Sequence, residues 1–115
     1  MTTKNAVPLT FWSDPGHGWL EVPTGLAGRL VPPRYFSEYS YRGPATRGPG
    51  SSYYLEEDCD AGIFLAAAKR QGVEVAVVEA EDTGGRIRKM DSLPPAQITS
   101  QVYRQIVSES CATLA

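Results

Sequence analysis

The sequence predicts an α+β fold, in which an antiparallel sheet of about six strands in three hairpins carries two to three helices on one face. Segments with period-two alternation of apolar and polar residues occur in pairs, and a short turn joins each pair. Stretches with helical periodicity and helical end signals follow these pairs. Nothing in the order of elements requires a long crossover between parallel strands. The chain is therefore expected to alternate hairpins with helices.

Composition places the chain among ordinary globular domains. It has 115 residues, 42% of them hydrophobic and 21% charged, so we expect one domain over 1–115 with a loose start at 1–8. The net charge of -2 disfavours direct nucleic-acid binding, since nucleic-acid-binding proteins usually carry a basic excess. No membrane span and no signal peptide is recognisable, so we expect a cytoplasmic protein. Cys59 and Cys111 are expected to be buried thiols, and their pairing is left open.

The first predicted hairpin consists of LTFWS (9–13) and WLEV (19–22), two segments rich in strand-favouring residues. The tetrapeptide DPGH (14–17) lies between them and is predicted to form a type II turn. Its proline presets φ at the second turn position, and its glycine accepts the positive φ required at the third. TGLAGRLV (24–31) is then predicted to be a short helix with Thr24 as its N-cap.

The second predicted hairpin begins with a strand over 36–42, where tyrosines recur with a period of two. GPATRGPGS (43–51) contains three glycines and two prolines and is predicted to be a mobile loop. SYYL (52–55) is the returning strand.

EEDCDAGIFLAAAKRQG (56–72) is the clearest helix of the sequence. Carboxylates crowd its start and a Lys-Arg pair stands near its end, which complements the helix dipole at both ends. Asp58 or Asp60 is expected to cap the first turn, and Gly72 is expected to follow the last. The stripe that is expected to pack on the sheet consists of Ile63, Phe64, Ala67 and Ala68.

The third predicted hairpin pairs VEVAVVEA (73–80) with RIRKM (86–90). Ile87 is expected to face the core of this hairpin, while the basic side chains beside it are exposed. ITSQVYRQIVSESCATL (98–114) is predicted to form the last helix, because two prolines precede it and its apolar residues recur on one face.

Two stretches contain residue types that are found in catalytic or metal-binding sites. His17 beside Asp14 resembles a general base with an orienting carboxylate, but no nucleophile lies at a recognised spacing. The carboxylates of EEDCD (56–60) suit Mg²⁺ or Ca²⁺, but no second acidic cluster is placed to complete a coordination shell. We therefore predict no catalytic residue, no metal site and no cofactor. A small metal-dependent hydrolase that uses His17 and the 56–60 carboxylates stays as an alternative.

Tyrosines and acidic residues are instead predicted to bind a protein partner. Tyrosine buries a large area with little loss of side-chain entropy and is enriched at interfaces. Acidic side chains would meet a basic nucleic-acid-binding groove of the partner. The predicted contact residues are Glu56, Glu57, Asp58, Tyr39, Tyr41 and Tyr53. A further alternative is an accessory factor that contacts nucleic acid through Arg86, Arg88 and Lys89.

Three stretches, SDPGHGWLEV (13–22), EYSY (38–41) and YYLEEDCDAGIF (53–64), resemble a pattern of small proteins encoded on bacterial phages and plasmids. In that pattern a hairpin with PGHGW is followed by a YSY strand and by YLEEDCD entering a helix. The resemblance covers about residues 11–90. Small proteins of this kind often lie beside counter-defence genes. The resemblance therefore implies a non-enzymatic inhibitor or accessory protein, and in its most specific form an anti-CRISPR protein that blocks a host CRISPR effector complex.

Overall fold

A six-stranded mixed sheet forms the centre of the protein in a computed structural model, which describes residues 6–96. The strands are β1 (Val7–Ser13), β2 (Gly18–Pro23), β3 (Tyr41–Pro44), β4 (Ser51–Glu56), β5 (Val75–Glu81) and β6 (Asp91–Ser92). The helices are α1 (Thr24–Leu30) and α2 (Asp60–Arg70), with short 3₁₀ turns at Pro33–Tyr35 and Ile87–Lys89. The strand order is β5-β1-β2-β4-β3-β6, and only the β1–β5 pair is parallel. The predicted α+β class is confirmed.

The prediction of a third hairpin is wrong. β5 runs parallel to β1 over the full length of both strands, and residues 86–90 contain a 3₁₀ turn instead of a returning strand. Asp82 causes this change of direction, because its backbone N–H donates to Ser13 O at 2.8 Å and its side chain accepts from Ile87 N at 3.0 Å. Gly84 and Gly85 adopt positive φ, which permits the tight turn between these two contacts.

The two faces of the sheet bury different clusters. Leu20 and Val22 of β2 belong to the face covered by α1 and α2, which we call the helix face. The predicted stripe of α2 is confirmed, since all four of its members are buried: Ile63, Phe64, Ala67 and Ala68. Gly72 has φ of 75° directly after the C-cap, as predicted for the residue that ends this helix.

The opposite face, which we call the second face, buries Trp19, Tyr54 and Ile87. Ile87 is fully buried, as the sequence predicts, although it reaches the sheet from a 3₁₀ turn. The guanidinium of Arg88 lies 5.2 Å from the centre of the Trp19 ring, so cationic side chains cover this cluster from outside. Because side chains alternate along a strand, Trp19 and its neighbour Leu20 enter opposite clusters.

The β1–β2 turn differs from the predicted type II geometry. Gly16 does not adopt positive φ, which a type II turn requires at that position. The Asp14 side chain organises the turn instead: its Oδ1 accepts from Gly16 N at 2.9 Å and from His17 N at 2.8 Å. Arg88 Nε donates to Asp14 Oδ2 at 2.6 Å. This bond holds the pKa of Asp14 well below its usual range, against the effect of burial.

Two element starts also differ from prediction. Thr24 is not the N-cap of α1, because Pro23 occupies that position and the Thr24 hydroxyl lies 3.2 Å from Ser51 Oγ. The strand expected over 36–42 begins only at Tyr41, since residues 37–40 form a turn in which Ser40 N donates to Ser37 O at 3.2 Å.

The glycine- and proline-rich loop is tied to the second face at Thr46. Its backbone N–H donates to Glu21 Oε2 at 2.8 Å and its hydroxyl donates to Glu21 Oε1 at 2.6 Å. Trp12 Nε1 donates to the same carboxylate at 3.0 Å. Burial raises the pKa of Glu21, but these hydrogen bonds outweigh it and leave the pKa lowered. The mobility expected over 43–51 stays a prediction.

The last predicted helix (98–114), Cys111 and the first five residues lie outside the described residues. Within the described range, neither helix has the length and apolar character needed to cross a membrane.

Candidate functional site

A shallow depression of about 130 Å³ lies on the second face, where the β1–β2 turn meets the end of β4. Its lining combines aromatic, acidic and basic side chains from four parts of the chain. We call it the His17 depression, and it is lined by His17, Trp19, Glu38, Tyr39, Tyr41, Glu56 and Arg88. The sequence did not assign Trp19 or Glu38 to a site, and it named His17 and Arg88 only in the hydrolase and nucleic-acid alternatives.

Trp19 provides the aromatic floor of the depression. It is 2% exposed, and the ring of Tyr41 meets it edge-on at 6.1 Å between ring centres. The His17 imidazole lies 6.2 Å from the Trp19 ring centre. The Trp19 Nε1 atom is buried and has no hydrogen-bond partner among the described protein atoms. The floor therefore holds one unsatisfied donor.

The rim that carries Glu38 and Tyr39 is held in place by Asp60. Asp60 is 1% exposed, and its Oδ2 accepts from Ser37 N at 2.7 Å and Ser37 Oγ at 2.8 Å. Ser40 Oγ also donates to this oxygen and accepts from the backbone N–H of Glu56 at 2.9 Å. Asp60 does not cap α2, whose N-cap residue makes no side-chain capping bond, so the expected capping role is wrong. It positions the rim instead.

Glu56 lines the depression, and Glu57 and Asp58 follow it directly in the chain; we call these three carboxylates the acidic triplet. Glu56 is 7% exposed, and its Oε2 accepts from the backbone N–H of Asp58 at 2.9 Å. Asp58 does not cap α2 either, because Cys59 occupies the N-cap position. Burial raises the pKa of Glu56, and the nearby carboxylates of Asp58, Glu57 and Asp60 raise it further. Within residues 6–96, the ion pairs are Arg86–Asp82 and Arg88–Asp14, so neither neutralises the triplet.

Gly18 brings the turn and the acidic triplet together. Its carbonyl accepts from Glu57 N at 3.0 Å. A Cβ at Gly18 would lie 2.3 Å from the Phe11 ring and 3.1 Å from Glu57 Oε2, so no larger residue fits here without movement. As a result, one ligand-type atom each from His17, Glu56 and Glu57 lies within 4.8 Å of the other two.

The structure separates the predicted contact residues. Tyr39 is 62% exposed and Tyr41 is partly buried, and both line the depression together with Glu56, whereas Glu57 and Asp58 are exposed outside its lining. Tyr53 lies on the helix face, where it is 8% exposed and its ring centre is 5.8 Å from that of Phe36. The register explains the separation, because Tyr41 pairs with Tyr54, whose side chain points away from that of Tyr53. Glu56 is the buried member of the acidic set.

The basic residues of the expected edge strand contact other parts of the protein. Arg88 bonds Asp14, and Arg86 lies 3.8 Å from Asp82 and 5.0 Å from the centre of the Trp12 ring. Arg86 and Arg88 therefore contact acidic and aromatic side chains of the second face, whereas Lys89 is exposed. The nucleic-acid alternative stays a prediction.

The depression offers a partly exposed aromatic rim, an imidazole and carboxylates that no arginine or lysine pairs with in the described part of the chain. No family model, curated protein or solved structure matches the chain. Its function is therefore inferred from the chemistry of these residues.

Proposed function

We propose that the protein is a non-enzymatic binding protein that docks onto a basic surface of a larger protein through the His17 depression. The observation that carries this proposal is an exposed tyrosine, Tyr39, in the same depression as Glu56, which exposed Glu57 and Asp58 follow in the chain. An inhibitor or accessory protein of mobile-element origin fits this arrangement. The resemblance described above supports the most specific form of the proposal, an anti-CRISPR protein that covers the nucleic-acid-binding groove of an effector complex.

The chemistry of the rim suits a macromolecular partner. Tyr39 and Tyr41 can each bury a large apolar area at an interface, and tyrosine is among the residue types that dominate binding energy. The unpaired carboxylates of Glu57 and Asp58 would guide a basic partner and speed its association. The volume of about 130 Å³ is below the roughly 300–1,000 Å³ of pockets for small molecules, which favours a surface contact over an enclosed ligand.

Binding to a purified CRISPR effector complex tests the proposal. Charge reversal of Glu57 and Asp58 together to Lys should weaken binding at least tenfold, and Tyr39→Ala should weaken it by a similar factor. Glu56 is left unchanged because reversal there would bury a charge. The matched control reverses Glu79 and Glu81, which are exposed on β5, and should bind like the parent protein.

Each result decides a different part of the proposal. Failure of the parent protein to bind any tested effector complex, or to inhibit its cleavage of target DNA, would overturn the anti-CRISPR form. Full binding by the Glu57 and Asp58 reversal would overturn the acidic surface as the docking site. Tyr39→Phe keeps the ring and should retain most of the affinity if apolar contact area is what the tyrosine supplies.

A metal-dependent hydrolase is a second candidate. It is favoured by the convergence of His17 with Glu56 and Glu57, which are about 40 residues apart in the sequence. This candidate first requires that these side chains bind a metal ion.

A further inference from the structure

We propose that His17, Glu56 and Glu57 form a binding site for one divalent transition-metal ion, with Zn²⁺ as the ion that tests it. The proposal does not depend on the protein partner. Its geometric basis is that one ligand-type atom from each residue lies within 4.8 Å of the other two. The three side chains come from the β1–β2 turn and from the end of β4.

The spacing is close to that of a metal centre. Ligand atoms about 2.0–2.2 Å from a tetrahedral zinc ion lie about 3.3–3.6 Å from each other. His17 and Glu57 are exposed, so rotation of their side chains can shorten the observed separations. Glu56 is the fixed member, because it is buried and its Oε2 accepts a hydrogen bond from Asp58 N. A carboxylate retains lone pairs for a metal ion in that position.

The charge around the three donors favours a cation. Glu56 is buried, Glu57, Asp58 and Asp60 lie within four residues of it, and carboxylates this close repel one another. The arginine nearest the depression, Arg88, is bonded to Asp14 instead. A bound divalent ion would therefore offset negative charge that the described protein groups do not pair with.

Trp19 lines the same depression, and its buried Nε1–H lacks an acceptor within the described part of the protein. A buried donor without a partner is costly, and native structures contain few of them. Three protein ligands leave one position of a tetrahedral metal ion open for water.

The donor set selects the class of metal. One imidazole nitrogen and two carboxylate oxygens suit zinc and related first-row ions, for which imidazole is a good ligand. Ca²⁺ and Mg²⁺ prefer six or more oxygen ligands and would gain little from His17.

The test uses the full chain without an added histidine tag, with Cys59 and Cys111 changed to Ser so that thiolates do not compete for zinc. The chain contains a single histidine, so its imidazole NMR signals report on His17 alone. Titration with ZnCl₂ should give one ion per chain by calorimetry, shift the imidazole signals and raise the melting temperature. His17→Ala and Glu57→Gln should each weaken zinc binding at least tenfold, whereas Glu79→Gln, on exposed β5, should bind like the parent.

Absence of heat together with unmoved imidazole signals would overturn the site. Equal zinc affinity in the parent and in His17→Ala would also overturn it, because another group would then hold the ion. Tight binding of Mg²⁺ without a shift of the imidazole signals would refute the transition-metal assignment. Partner binding measured in excess EDTA separates this proposal from the protein-binding one. Docking that persists without metal shows that the two are independent, so the zinc titration alone then decides the metal site.

Discussion

Replacement of Asp60 by Ala should destabilise the protein strongly and should displace the rim of the His17 depression. The Asp60 carboxylate is 1% exposed and accepts from the backbone N–H of Ser37 and from the hydroxyls of Ser37 and Ser40. Its removal leaves these donors without their acceptor. The Ser40 hydroxyl also accepts from Glu56 N, so the disturbance reaches the end of β4.

The magnitude follows from the number and type of these bonds. A buried group that loses its partner costs about 1–3 kcal/mol, and bonds to a charged acceptor lie at the upper end of the range. Hydroxyls can rotate toward other acceptors, so the three losses do not add fully, and we expect a loss of about 3–5 kcal/mol. This is a large part of the roughly 5–15 kcal/mol that stabilises a typical domain. Asp60→Asn keeps one acceptor oxygen and should lose about 1–3 kcal/mol.

Urea unfolding followed by tryptophan fluorescence measures these free energies, since Trp19 is buried on the second face. Asp58→Ala is the matched control, because this exposed carboxylate lies two residues away, and it should change stability by no more than about 0.5 kcal/mol. A loss below about 1 kcal/mol for Asp60→Ala, or one equal to that of the control, would refute the assigned role of the carboxylate. If Asp60→Ala does not fold, the smaller loss expected for Asp60→Asn still tests the reasoning.

Three further predictions concern the packing and the charge of the second face and its turn. Gly18→Ala places a Cβ 2.3 Å from Phe11 Cζ, so it should lower the free energy of unfolding in urea by about 1–3 kcal/mol. Adding Phe11→Leu to this variant should restore part of the lost stability, and no recovery would contradict the steric explanation. Asp14→Asn should reduce the fall in the free energy of unfolding that the parent shows at acid pH. The Arg88 bond lowers the folded-state pKa of Asp14. The stabilisation from this bond is therefore present above the unfolded-state pKa of about 3.9 and disappears as the pH falls toward the folded-state pKa. A variant whose free energy of unfolding changes with pH between 6 and 2 as the parent's does would argue against this role of Asp14. Ile87→Ala should cost about 2–5 kcal/mol and Ile87→Val about 0.5–1.5 kcal/mol, because this side chain is fully buried; thermal unfolding that does not separate the two variants would exclude a core role for the turn.

Local patterns determined the parts of the fold that local physics controls. The apolar stripe of α2 recurs with the helical period, and the positive φ of Gly72 ends that helix. The hairpin β1–β2 follows from period-two alternation interrupted by turn residues, whereas β3 shares only Tyr41 and Arg42 with the strand that alternation predicts. Each of these features depends on residues within a few positions of one another, so the sequence contains the information directly.

Only the tertiary structure decided the pairing of β5 with β1 and the assembly of the His17 depression. An edge strand such as β5 satisfies its backbone hydrogen bonds with any neighbour, and the partner is chosen by burial across the whole sheet. The role of Asp60 was undecided for the same reason, because an acid at a helix start can cap the helix or can bind a segment packed above it. His17 and Glu57 meet because Gly18 leaves space for the Phe11 ring beside the end of β4. Contacts of this kind join residues distant in the chain, and the physical cause is the shared burial of side chains that no local pattern relates.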